Sequence, residues 1–252
     1  MRSMLVGLVT AATLFGSVAM VAQESEQHTH WTYSGKDGPK KWGTLDPAYS
    51  ECKLGHHQSP IDIRHTEKAD LPPIQFDYSP TPLRIVDNGH TVAVHYAPGS
   101  FITVGDHRYQ LTEFHFHHPS EEHINGKSFD MVIHMVHSDA SGNLAVVAVL
   151  LKPGKVNPAL QIMWDHLPKE KNKVAAVEGV LINAADFLPV NRGYYTFVGS
   201  LTTPPCTEPV TWFVLKTPEE ISSGEVDVFA RLYPNDTRPT QRLEGRVIRE
   251  SK

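Results

Sequence analysis

Cysteine is nearly missing from this 252-residue chain, which carries two, Cys52 and Cys206, and so at most one internal cross-link. Positive charge is also short. Lys and Arg number 23 against 28 Asp and Glu, for a net charge of -5 and a pI near 6.3. That balance argues against a nucleic-acid partner, which needs a basic surface. Beyond the N-terminus no apolar run is long enough to cross a bilayer. There is no internal repeat, no low-complexity linker and no sharp change of composition, so nothing divides the chain into separate domains. With 40% hydrophobic and 20% charged residues, it reads as an ordinary globular protein.

What is present begins with a targeting signal. Arg2 precedes an apolar stretch from Met4 to Val21, followed by the polar residues Gln23 to Glu26. This pattern predicts a secretory signal peptide over residues 1–22, cleaved after Ala19 or Ala22. A retained membrane anchor is the alternative, weakened by Gly7, Gly16 and several Thr and Ser in the stretch. After cleavage no stable anchor remains, which predicts a periplasmic or secreted protein. In an exported chain an isolated cysteine pair predicts a Cys52–Cys206 disulfide; two separate buried thiols are the alternative.

Pro and Gly, 19 and 17 in number, break the chain into short segments. Apolar and polar residues alternate over Leu83–Val86, Thr91–His95, Phe101–Val104, Gln110–His118 and Met131–His137. Leu144–Leu151 and Val210–Leu215 read as buried strands. Helices are expected around Asn157–His166 and Pro218–Leu232, the second with Thr217 as N-cap and Pro218 at its first position. Strands dominate. The expected fold is α+β, a single domain built on a large, mostly antiparallel central β-sheet with short peripheral helices.

Fifteen residues are histidine, and spacing singles out three. His115 and His117 alternate with Phe114 and Phe116, so on a strand the two imidazoles share one face and the two rings the other. His134 sits in a second strand-like segment, Val132–Val136. If it faces the same way, three neutral imidazoles converge, the ligand set of a catalytic zinc with an open fourth position. Such a site activates water. His28, His30, His56 and His57 show no shared geometry, and adventitious metal binding is the plainer reading of them.

The stretches Gln110–Glu122 (QLTEFHFHHPSEE), Phe129–His137 (FDMVIHMVH) and Gly199–Thr207 (GSLTTPPCT) resemble the α-class carbonic anhydrases of the exported bacterial kind. The likeness continues through His30-Trp31, Gln58–Asp62, Asp87–His90, Val210–Trp212 and Arg238–Gln241, and so spans nearly all of residues 23–252. It implies zinc on His115, His117 and His134, and reversible hydration of carbon dioxide to bicarbonate and a proton by attack of zinc-bound hydroxide. Carbonic anhydrase is itself the type case for a metal that brings the pKa of bound water near neutrality.

The same resemblance implies roles for the surrounding residues. Thr202 is expected to orient the nucleophile, donating its proton to a buried carboxylate; ungapped register from His117 makes this Glu121, with Glu122 the less favoured neighbour. Thr203 and the Thr202 N–H are expected to contact bicarbonate. His90 matches a proton shuttle, with Tyr33 and Asn88 holding the intervening waters. Val136, Val146, Leu201, Val210 and Trp212 match an apolar wall that receives carbon dioxide, although each is equally a core residue on its own evidence. Exported bacterial relatives are often dimers, which makes a homodimer an expectation of the resemblance too.

Two positions depart from the familiar vertebrate pattern. Where that pattern has a Glu two residues before the third ligand, this chain has Val132; where it has a Gln two residues before the first, this chain has Glu113. Glu113 is therefore expected to support His115, while His134 is left to a backbone carbonyl or a water. A catalytically silent binding protein of the same family is one alternative function, and periplasmic zinc binding is another.

Overall fold

The computed structural model describes residues 29–252; the expected signal peptide and His28 lie outside them. Among the described residues one 13-stranded sheet forms the body of the protein. Its central path runs from Ala175–Ile182 through Thr81–Asp87, Val92–His95, His107–His117, Met131–Ser138 and Leu144–Pro153. It continues through Val210–Leu215, Tyr194–Gly199 and Arg249–Ser251 to Glu67–Ala69. Leu144–Pro153 pairs in parallel with Val210–Leu215 and with Glu219–Ile221, and Arg249–Ser251 with Glu67–Ala69; the other pairings in this sheet are antiparallel.

Period-two alternation splits the middle strands between two cores. Phe114, Phe116, Ile133, Met135, Val147 and Val149 pack on one face, under the helices, with Phe187 and Phe229. Val132, Val146, Ala148, Trp212 and Val214 pack on the other. The unbroken apolar run Leu144–Leu151 is the consequence, since a strand covered on both faces needs apolar residues at every position. The second face also carries His115, His117 and His134.

The two expected helices form, with altered limits. Pro158–Trp164 is capped by Asn157, whose side chain accepts from the Ala159 and Leu160 amides. The second helix does not start at Pro218. It spans Ser223–Leu232, and Ser222 and Glu225 make a reciprocal capping box. The segment read as its first turn, Glu219–Ile221, instead joins the edge of Leu144–Pro153. Fully buried Ile221 anchors it there, and the stronger cap wins over Thr217-Pro218.

Cys52 and Cys206 are joined in a disulfide with Cα atoms 5.0 Å apart, across 154 positions of sequence. The Cys206 carbonyl accepts from the Gln58 side chain at 3.0 Å, and its amide donates to the Thr203 carbonyl at 2.8 Å. The turn that carries Thr202 and Thr203 is thus tied to the N-terminal part of the fold.

Candidate metal centre

His115 lies directly opposite His134 in the antiparallel register of their strands, and His117 follows two residues on along the same face. One nitrogen from each ring lies within 4.8 Å of the others. His117 and His134 are buried, while His115 borders a cavity of about 630 Å³. Two sheet strands therefore place all three side chains, an arrangement more rigid than a loop provides.

The outward nitrogen of each ring faces a carboxylate or carbonyl oxygen, and an accepting oxygen there puts the ring proton on that nitrogen. His115 Nδ1 donates to both oxygens of Glu113, at 2.9 and 3.1 Å. His117 Nδ1 donates to the Asp236 carbonyl at 2.7 Å. His134 Nε2 donates to both oxygens of Glu122, at 3.1 Å each. The inward nitrogens, His115 Nε2, His117 Nε2 and His134 Nδ1, are left as lone-pair donors. His117 Nε2 is fully buried with no hydrogen-bond partner, an orphan that a native interior rarely tolerates. Three neutral imidazole nitrogens around one point fit a tetrahedral zinc with one open position.

Electrostatics follow burial. Burial drives the His134 pKa well below its ordinary value, helped by His117 and His115. Burial would lower His115 too, but the Glu113 carboxylate outweighs it and the net shift is upward. Burial pushes Glu122 and Asp236 each up to about 7.

Glu121, 1% exposed, accepts from the Arg238 amide at 2.7 Å through Oε1. Its Oε2 is buried without a hydrogen-bond partner, 3.6 Å from His117 Nε2 and 4.0 Å from His134 Nδ1. Thr202 is buried in the turn before Val210–Leu215, but the hydrogen bond expected between it and Glu121 is not formed.

The cavity brings Tyr33, Asn88, His90, Val136, Leu201 and Thr203 together with Glu113, His115 and His117. His95, Asn172 and Val174 also line it. Val146, Val210 and Trp212 do not line it; they are buried behind it, with the Trp212 ring edge-on to His134 at 5.0 Å between centroids. The Asn88 side-chain oxygen is committed to the His90 and Thr91 amides, at 2.9 and 2.8 Å, so it shapes the turn that presents His90. The His90 ring stacks on Trp31 at 3.7 Å, and burial, with His30 and Lys171 nearby, lowers its pKa. The Tyr33 hydroxyl is buried without a partner, and burial beside Glu121 and Asp236 raises its pKa well above the usual phenol value.

Three supports are not visible as such in the sequence: Glu122, which stands where a backbone carbonyl or a water was expected behind His134, the Asp236 carbonyl and Trp31. Val132 in the place of an acceptor was a signal that another acceptor must exist, but nothing in the sequence located it. A backbone carbonyl 119 positions away leaves no sequence signal at all. Of the other histidines, His30, His56 and His57 join no metal-ligating group among the described residues.

Comparison with known proteins agrees with this geometry. A family model described as eukaryotic-type carbonic anhydrase matches residues 37–252. A carbonic anhydrase of Nostoc sp. is 39% identical, with 98% of this chain and 95% of that protein covered. One from Neisseria gonorrhoeae is 40% identical, covering 96% of each. The solved structure of a hyperthermostable carbonic anhydrase identified from an active hydrothermal vent chimney superposes with a TM-score of 0.86 at 44% identity, over 88% of this chain and all of that one. The converged histidines, the sheet that carries them and these relatives together place the chain in the eukaryotic-type, or α, carbonic anhydrase family.

Proposed function

We propose that this chain is a zinc enzyme that interconverts carbon dioxide and bicarbonate outside the cytoplasm. The observation that carries the reading is the triad His115, His117 and His134, each with its outer nitrogen held and its inner one free. Zinc held there supplies the Lewis acidity that makes a nearby water ionise near neutral pH, an effect for which carbonic anhydrases are the type case.

The other residues act on the reacting molecules. Glu121 keeps one oxygen without a partner, and a Thr202 hydroxyl that closes on it would donate there and keep its lone pair for the nucleophilic water, orienting that water toward carbon. Thr203 and the Thr202 amide hold the oxygens of bicarbonate. Val136 and Leu201 line the cavity where carbon dioxide rests, and Val146, Val210 and Trp212 back that wall from the core. An apolar surface suits a substrate with no net dipole. His90 accepts the released proton at its imidazole and passes it to buffer, across waters held beside Tyr33. Export through a cleaved segment 1–22 fits the disulfide, which persists in oxidising compartments.

Stopped-flow hydration of carbon dioxide by residues 23–252, before and after chelation, tests the proposal. Activity should track zinc at one ion per chain and vanish on removal. A fully zinc-loaded protein with no rate above background would instead make this a silent binding member of the family.

A further inference from the structure

Glu121 and Glu122 are consecutive, acidic and both buried, at 1% and 0% exposure. Burying two adjacent carboxylates is costly unless each meets a partner. They meet opposite sides of one imidazole. Glu121 Oε2 lies 4.0 Å from His134 Nδ1, the inward nitrogen, whereas Glu122 takes the proton of His134 Nε2 with both oxygens. With both oxygens engaged, Glu122 is not available to Thr202, and the two acids have separate tasks.

The loop holds Glu122 for this purpose. Ser120 Oγ donates to the Glu122 carbonyl at 2.8 Å and accepts from the Phe129 amide at 2.8 Å. The Ser120 amide donates to the Phe129 carbonyl at 2.9 Å. On the other side, His123–Ile124 pairs in parallel with Asp62–Ile63. The strand position that shares a face with His134 is free of this duty: Val132 is fully buried in an apolar cluster with Val146, Ala148 and Trp212.

We propose that Glu122 is the positioning residue for His134: its carboxylate holds the Nε2 proton, turns Nδ1 toward the metal and slows loss of zinc. The support that an acid on the ligand's own strand could give comes here from a loop. Together with Glu113 it sets a carboxylate behind two of the three ligands, which raises ligand basicity and metal retention. The inference rests on the zinc reading above, because a positioning role needs a metal to position for.

The test measures zinc release from the loaded protein to a competing chelator, with the visible spectrum of the cobalt(II)-substituted protein as a second readout. Glu122→Gln should release zinc about tenfold faster and Glu122→Ala up to about a hundredfold faster, if the loss of metal affinity typical for such outer partners falls on the release step. The cobalt spectrum should change in Glu122→Gln but not in Val149→Ala, a destabilising control on the opposite face of the sheet. If Glu122→Ala does not fold, Glu122→Gln decides alone. Release within twofold of the parent protein with an unchanged spectrum overturns the proposal and leaves the zinc reading standing. A parent protein that takes up no zinc overturns both.

Discussion

His134 and His137 stand on one strand, three residues apart, and face opposite sides of the sheet. His134 looks into the metal centre, with Glu122 behind it. His137 looks into the apolar core, where its Nε2 meets the Tyr78 hydroxyl at 2.7 Å. Both are buried and both have depressed pKa values, chiefly through burial. Burial and a shifted pKa therefore do not separate a ligand from a core residue. Company does: His134 shares its face with two further imidazoles, and His137 shares its own with Ile133, Met135 and Val147.

The contrast breaks if changes on the two faces have the same consequence. The largest expected effect comes from His134→Ala, which should abolish stoichiometric zinc binding and drop hydration to background, read by metal analysis and stopped flow. His137→Gln should retain both zinc and activity, and a loss of zinc there would end the distinction. Next in size, at the mouth of the cavity, His90→Ala should slow turnover in weak buffer on the order of 10²-fold, with rescue by added imidazole. Because the His90 pKa lies below that of free imidazole, its neutral, proton-accepting form should persist below pH ~6.5.

Acid stability sharpens the comparison from the core side. His137 is held at about 3 in the folded protein, while an unfolded histidine titrates near ~6.5. Above that value both states are neutral and the residue adds nothing to the pH dependence. As pH falls toward 3 only the unfolded state takes up the proton, and stability drops by about 1.4 kcal/mol per unit. Between pH 7 and 5 the parent should therefore lose about 2 kcal/mol more than His137→Gln in urea unfolding. The smallest effect is expected from Glu113→Gln, with zinc binding about tenfold weaker in competition with a chelator and the fold unchanged. Equal zinc affinity in that variant would mean that the carboxylate behind His115 is only structural.

Much of this was legible in one dimension because strand periodicity is local. Phe114 and Phe116 against His115 and His117 is a statement about four consecutive residues, and the unbroken run Leu144–Leu151 announced a strand covered on both faces. The start of the Ser223–Leu232 helix was misplaced for an equally local reason. Thr217-Pro218 and Ser222-Glu225 are both credible caps, and only the pairing of Glu219–Ile221 with Leu151–Pro153 chose between them.

By itself the sequence determined that His115 and His117 share one face of a strand, that the opposite face is apolar, and that the fold centres on a sheet. These follow from the two-residue repeat of an extended chain. That His134 joins the two histidines was decided by the register that sets it opposite His115. What stands behind each ligand was decided only in three dimensions. Glu113 lies on the same strand as His115, but Glu122 reaches His134 from a loop and the Asp236 carbonyl reaches His117 across 119 residues. Hydrogen-bond acceptors are chosen by distance in space, and a backbone carbonyl carries no side-chain identity for a sequence to display.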